Sequence, residues 1–172
     1  MPKKSTIHKA RKDKRQGKSP STQAGEFVRE EIDDIRAGKH GARSTKQAIA
    51  IGLSKARRAG VKLPPPAKGK TSEKTRRRAE RDYQRGQTDP HHKVSAKRSR
   101  AVTGALRREG HEAASHAALS QQAREQSHRR TAKQRSDIGR KAARTRMAHQ
   151  SPAERRAIAR KAARTRAANR SR

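Results

Sequence analysis

The chain has 172 residues and carries 48 Lys and Arg against 15 Asp and Glu, a formal net charge of +33. Hydrophobic residues make up only 28%, with one Phe, one Tyr and no Trp. Such a chain repels itself and has little apolar surface to bury, so we expect at most one small folded module with long basic, partly disordered helical arms around it. The absence of cysteine excludes disulfides and thiolate metal sites.

No stretch of the sequence resembles a membrane span or a secretion signal. The longest apolar run covers residues 48–53, and the basic N-terminus lacks an apolar segment behind it. We therefore expect a cytoplasmic protein without a membrane partner.

The positive charge is concentrated at the two ends of the chain. Residues 1–20 hold eight basic residues and one acid, residues 21–66 nine and five, and residues 67–172 thirty-one and nine. The sequence thus predicts four regions: a basic N-terminal arm (1–18), a helical hairpin module (19–66), a basic linker region that is helical or disordered (67–130), and a repeat tail rich in Arg and Ala (131–172).

The hairpin module contains most of the large apolar residues. A first helix is predicted from a cap at Ser21 to about Ala37, with Gly38 as its left-handed terminator. Its apolar side chains recur at the helical period. They are Ala24, Phe27, Val28, Ile32 and Ile35.

A second helix is predicted to begin at a capping box formed by Ser44 and Gln47 and to end at Gly60. Its apolar arc includes Gly52, which would let the two helices approach closely. Two amphipathic helices joined by about seven residues predict an αα-hairpin and an all-α fold. The three prolines at 64–66 then end helical structure.

Beyond the prolines, helix signals recur without an apolar face. Candidates cover residues 72–85, 95–109 and 112–129, and each would be marginal alone in water. The tail contains a repeat of period 20, in which residues 138–146 (IGRKAARTR) recur as residues 158–166 (IARKAARTR). Ser151, Pro152 and Glu154 give the second copy a strong helix start.

Two resemblances follow from these segments. Residues 19–66, centred on GKHGARSTKQAIAIGLSKARRAG at 38–60, look like a family of small basic bacterial proteins that are labelled DNA-binding or histone-like. The repeated RKAARTR is similar to the Ala/Lys/Arg tails of linker histones and of tailed bacterial histone-like proteins. Both resemblances imply a nucleic-acid partner.

Metal and catalytic sites find little support in the sequence. His111 and His116 have one residue too many between them for the zincin helix signature, and the adjacent His91 and His92 point apart in regular structure. No nucleophile elbow or phosphate loop is present, so we expect no enzyme and no cofactor.

The acids of the first helix are predicted to form a solvated outer face, except Glu31, which falls amid the apolar arc. For Glu31 three roles stay open: a pair with a basic residue of the second helix, a contact with a partner, or an incompletely buried edge.

The basic residues indicate binding to nucleic acid, because Arg binds phosphate in a planar, bidentate manner. The scarcity of aromatic residues favours duplex DNA over single strands, and structured RNA stays open. We thus expect a sequence-independent, histone-like nucleoid protein, or alternatively an RNA-binding or ribosome-associated protein. Candidate phosphate contacts are Lys46, Lys55, Arg57, Arg58, Arg76, Arg77, Arg78, Arg140, Lys141, Arg144, Arg146, Arg155, Arg156, Arg160, Lys161, Arg164 and Arg166.

The hairpin of residues 19–66 is also too small to be stable by itself. A homodimer formed face to face would cover its apolar side. The alternative is that the proline segment or a downstream helix folds back over that side within one chain.

Overall fold

The computed structural model describes residues 2–89, 95–148 and 150–170. Over these residues the protein is all-α, without any strand. The helices are α1 (Lys4–Arg15), α2 (Pro20–Arg36), α3 (Thr45–Arg58), α4 (Glu73–Thr88), α5 (Ala96–Arg107), the 3-10 turn η1 (Glu112–Ala114), α6 (His116–His128), α7 (Ala132–Ala148) and α8 (Pro152–Arg170). The chain divides into two compact units, Met1–Ala123 and Arg124–Arg172.

Helices α2 and α3 form the centre of the first unit and pack closely against each other. The cap of α2 is Ser19 with Pro20 at the first helical position, so the helix starts before the predicted Ser21. The predicted terminators Gly38 and Gly60 both have positive φ. Gly52 lies against Val28, and a β-carbon there would come within 2.6 Å of the Val28 Cα. The predicted close approach at Gly52 is therefore confirmed.

Helix α1 occupies the region predicted as the basic N-terminal arm (1–18). Its residues Ile7 and Ala10 pack against Ala24 and Phe27 of α2, in a cluster that also contains Ala56 and Val61 of the α3 end. This helix was not predicted from the sequence, because Ile7 and Ala10 present little apolar surface among the eight cations and one acid of residues 1–20.

Helix α4 packs against α3 on another side. A β-carbon at Gly86 would lie 1.8 Å from the Arg57 carbonyl oxygen, so only glycine permits this crossing. The predicted helix over 72–85 is too short, because α4 passes through Gly86 and continues to Thr88. Ser54 donates a hydrogen bond to Asp82 (2.6 Å), which joins the two helices.

The segment around η1 closes the opposite end of the hairpin. Thr45 donates its hydroxyl to the Ala113 carbonyl (2.7 Å), and Arg36 Nε donates to the Ala114 carbonyl (2.8 Å). Ala113 and Ala114 join a second apolar cluster with Ile32, Ile35, Ala42 and Ala48. The predicted helix over 112–129 accordingly starts later, at His116, after the 3-10 turn.

The apolar side of the hairpin is thus covered within one chain, by α1 at one end and η1 at the other. The compact module is not limited to residues 19–66, because residues before and after this range complete its core. A second copy is not required to cover the apolar side of the hairpin, because the chain itself supplies the missing surface.

In the second unit, α7 and α8 have no buried residue. Each helix begins at a reciprocal cap: Thr131 with Gln134 for α7, and Ser151 with Glu154 for α8. The predicted start of the second repeat is confirmed. The described tail residues are helical where partial disorder was expected, since two good caps and many Ala, Arg and Lys residues favour the helix.

Candidate nucleic-acid interface

The two repeat copies form equivalent exposed helices. Arg140 and Arg144 of α7 are four residues apart and share a face, as do Arg160 and Arg164 of α8. In both copies the threonine hydroxyl donates to the lysine carbonyl four residues earlier at 3.1 Å. The predicted tail contacts are all exposed: Arg140, Lys141, Arg144, Arg146, Arg155, Arg156, Arg160, Lys161, Arg164 and Arg166.

The two copies differ in their acidic neighbours. Arg140 donates to Asp137 at 2.5 Å, whereas Ala157 occupies the position equivalent to Asp137 in the second copy. The nearby Glu154 accepts a hydrogen bond from the backbone N–H of Ser151 (2.7 Å). This bond is the main cause that lowers the Glu154 pKa, and a hydrogen bond with the Ser151 side chain adds to it. Within the described part of the chain Arg160 has no acidic partner, so its guanidinium can approach phosphate without first leaving a carboxylate.

The α4 cations are partly engaged with acids of their own helix. Arg76 bonds Glu73 (2.9 Å) and Glu80 (3.3 Å), and Arg77 lies 3.3 Å from Glu73. These bonds, with Arg76 as the main contributor, lower the Glu73 pKa. Arg78 is exposed. The local pairs reduce the net positive charge that this helix presents.

Lys55 and Arg57 were predicted to contact phosphate, but the structure places them in the interior of the first unit. Lys55 Nζ lies 2.5 Å from Glu31 Oε2, and its side chain is only 17% exposed. Arg57 is buried and donates to the carbonyls of Leu63 and Pro64. Burial lowers the Arg57 pKa. Both cations are used to hold the fold.

The other two candidates on α3 are more accessible. Arg58 Nε donates to the Ser54 carbonyl (3.3 Å) and lies 3.8 Å from Asp82, with a side chain 37% exposed. Lys46 is exposed in the first turn of the helix.

Two of the α2 acids expected on a solvated face, Glu30 and Asp34, are buried, whereas Asp33 is exposed. Glu30 accepts the backbone N–H of Lys3 (3.0 Å), and Asp34 accepts Lys3 Nζ (2.8 Å) and Lys39 Nζ (2.6 Å). Burial acts to raise the Asp34 pKa, but the two lysine hydrogen bonds outweigh it and hold that pKa below its ordinary value. The acids therefore fix the N-terminus of the chain to α2.

A cationic face on α1 was missing from the sequence-based set. Lys4, His8, Arg11 and Arg15 are exposed and recur at intervals of four, three and four residues. This spacing places them along one side of the helix. The same period of basic residues could have revealed the face, had the segment been treated as a helix.

Metal binding finds no support within the described ranges, where no three His, Asp or Glu side chains are grouped as ligands. His91 and His92 lie outside the described residues. Among the helices described, none is long and apolar enough to cross a membrane.

Comparison with known proteins adds one match. Residues 4–68 match the model of a family of unknown function (DUF6496), a range that begins with α1 and ends two residues after the three prolines. No curated protein and no solved structure matches the chain.

Proposed function

We propose that this protein binds duplex DNA without sequence preference, as a histone-like, nucleoid-associated protein. The observation that carries the proposal is the exposure of both repeat helices, whose cations project from surfaces that bury nothing. Helices that carry so many cations and bury no residue are suited to a phosphate-lined surface.

Sequence-independent binding is favoured by the nature of the exposed groups. Arg and Lys bind phosphate oxygens, which are the same for every base pair. Base readout needs a helix held at a fixed position in a groove by a core. Since α7 and α8 have no buried residue, they lack such an anchor.

Duplex DNA is favoured over single strands by the scarcity of aromatic residues, since stacking platforms depend on them. Structured RNA shares the phosphate chemistry. Duplex DNA is therefore the proposed partner, and binding to structured RNA is measured beside it.

The test is a fluorescence-anisotropy titration of the full chain with two duplexes of unrelated sequence and one structured RNA. We expect equal affinity for both duplexes and a loss of about 10³–10⁵ in affinity between 50 and 200 mM salt, if roughly six to ten phosphates are contacted. Affinity that is insensitive to salt, or tighter binding to the RNA in direct competition, contradicts the proposal.

A tail deletion identifies the contacting region. Removing residues 131–172 removes 14 basic and two acidic residues. We expect weaker binding and a shallower salt dependence. The melting temperature of the first unit should stay unchanged, because α7 and α8 contribute no residue to its apolar clusters.

A further inference from the structure

The outer face of α1 is a straight row of cations. Lys4, His8, Arg11 and Arg15 are all exposed on one side of the helix. They extend over the 12 residues of α1, which is about 16 Å between the first and last of them along the helix axis. The row contains no apolar side chain.

The opposite side of α1 attaches it firmly to the first unit. Thr6, Ala10 and Asp13 are buried there. Lys3 ties the start of the helix to Glu30 and Asp34, as described above. The row is therefore presented by a fixed helix, in contrast to the tail helices, which bury nothing.

Acidic groups near α1 pair with cations that flank the helix. Lys3 pairs with Asp34 and Lys18 pairs with Asp13. Within residues 2–89, 95–148 and 150–170, Lys4, Arg11 and Arg15 have no carboxylate in ion-pair contact. On α4, by comparison, Arg76 pairs with Glu73 and Glu80, which neutralise part of the positive charge of that helix. The charge on the outer face of α1 thus stays available for an external anion.

We propose that the outer face of α1 is a second nucleic-acid surface, which binds the phosphate backbone of duplex DNA separately from the tail. This inference rests on the proposed function and adds a site to it. A length of about 16 Å corresponds to roughly five base pairs at 3.4 Å rise, enough for Lys4, Arg11 and Arg15 to reach one phosphate each. His8 adds an imidazole N–H donor.

The fixed position of the helix favours binding. A segment that is already ordered loses little conformational entropy when it meets its ligand, so more of each phosphate contact appears as affinity. A lipid surface is a poorer fit, because binding in a membrane interface needs an apolar helix face.

The test compares two triple variants of the full chain. Lys4→Gln, Arg11→Gln and Arg15→Gln neutralise the α1 row; Lys62→Gln, Lys68→Gln and Lys70→Gln remove the same charge from exposed residues of the segment between α3 and α4. We expect the α1 variant to reduce the log–log salt slope by about 2.7 and the control by less than about 1. Between 50 and 200 mM salt, the unmodified chain should then lose about 40-fold more affinity than the α1 variant.

The outcomes separate the two proposals. If the unmodified chain does not bind duplex DNA, the proposed function fails. If it binds and the two triple variants behave alike, the α1 surface is overturned while the proposed function stands. If the α1 variant loses more binding than the control to anionic phosphatidylserine vesicles but not to DNA, the α1 surface is likewise overturned.

Circular dichroism checks that the variants keep their helix content. Should the α1 triple variant lose helix, Arg11→Gln alone is compared with Lys68→Gln, and a larger drop in slope is expected for Arg11→Gln. If the two single variants reduce the salt slope equally, the α1 surface is overturned. Arg11→Lys retains the charge and should keep the slope of the unmodified chain.

Discussion

The carboxylate of Glu31 in α2 and the ammonium group of Lys55 in α3 form an ion pair of 2.5 Å inside the first unit. Glu31 has no exposed side-chain surface, and His40 Nε2 lies 3.5 Å from its second oxygen. A buried charge of this kind is tolerated only while its partner is present. The pair therefore fixes how α2 and α3 meet.

Replacing Lys55 with Met should destabilise the first unit by about 3 kcal/mol, because Glu31 would stay buried without its ammonium partner. Chemical unfolding followed by circular dichroism measures the change. Lys74→Met, at an exposed position on α4, is the matched control and should change stability by less than about 0.5 kcal/mol. Replacing both partners, as Glu31→Leu with Lys55→Met, should recover much of the loss. Equal effects of Lys55→Met and Lys74→Met would show that the buried pair contributes nothing.

Gly52→Ala should separate α2 from α3. The added methyl would lie 2.6 Å from the Val28 Cα, and backbone cannot move away as a side chain can. We expect a loss of about 1–3 kcal/mol in the free energy of unfolding. Gly25→Ala is the control in α2, where a β-carbon meets nothing within 4 Å, and it should stabilise the helix by about 0.5–1 kcal/mol. A Gly52→Ala protein as stable as the original would contradict the close packing.

Asp34 should make stability depend on pH in the acid range. Its folded pKa lies below the ordinary value, so its stabilisation is complete above about pH 4 and is lost as the pH falls through the folded pKa. Asp34→Asn should cost about 1 kcal/mol at pH 6, and the difference from the original chain should shrink toward pH 3. Melting curves at several pH values measure this. Asp33→Asn, at an exposed position of the same helix, should lack that pH-dependent difference.

The two repeat copies should contribute unequally to DNA binding. Arg160→Gln is expected to reduce the salt slope by about 0.9, the value of one full phosphate contact, and Arg140→Gln by less than half of that. The reason is that Arg140 already pairs with Asp137. When Asp137 is also replaced with Ala, Arg140→Gln should reduce the salt slope as much as Arg160→Gln does. If Arg140→Gln reduces the salt slope equally with and without Asp137, the ion pair with Asp137 does not weaken the contact of Arg140 with phosphate.

Several local features were predictable from the sequence. Ser44 caps α3, Ser151 caps α8, and Gly38 and Gly60 follow their helices with positive φ. Each depends on a few neighbouring residues, so short-range chemistry is sufficient. The partner of Glu31 was among the predicted alternatives, because an acid amid an apolar arc needs a cation from the facing helix.

The long-range packing was not predictable in the same way. Helix α1 and turn η1 complete the core with alanines, whose small apolar surface gives no clear periodic signal. The burial of Lys55 and Arg57 depends on these tertiary contacts as well, since neither residue differs in type from the exposed cations around it. Composition alone overstated disorder because it cannot register good caps and high helix propensity.

The independence of the tail helices has a consequence for how such a chain can change over generations. A repeat that carries its own cap and touches no core can be duplicated or lost in frame without disturbing the rest of the molecule. The number of repeat copies would then change the binding affinity in discrete steps. The sequence of the first unit would be constrained separately, by the packing of its core. Natural variants with tails of different length would keep the fold of the first unit and differ in binding affinity.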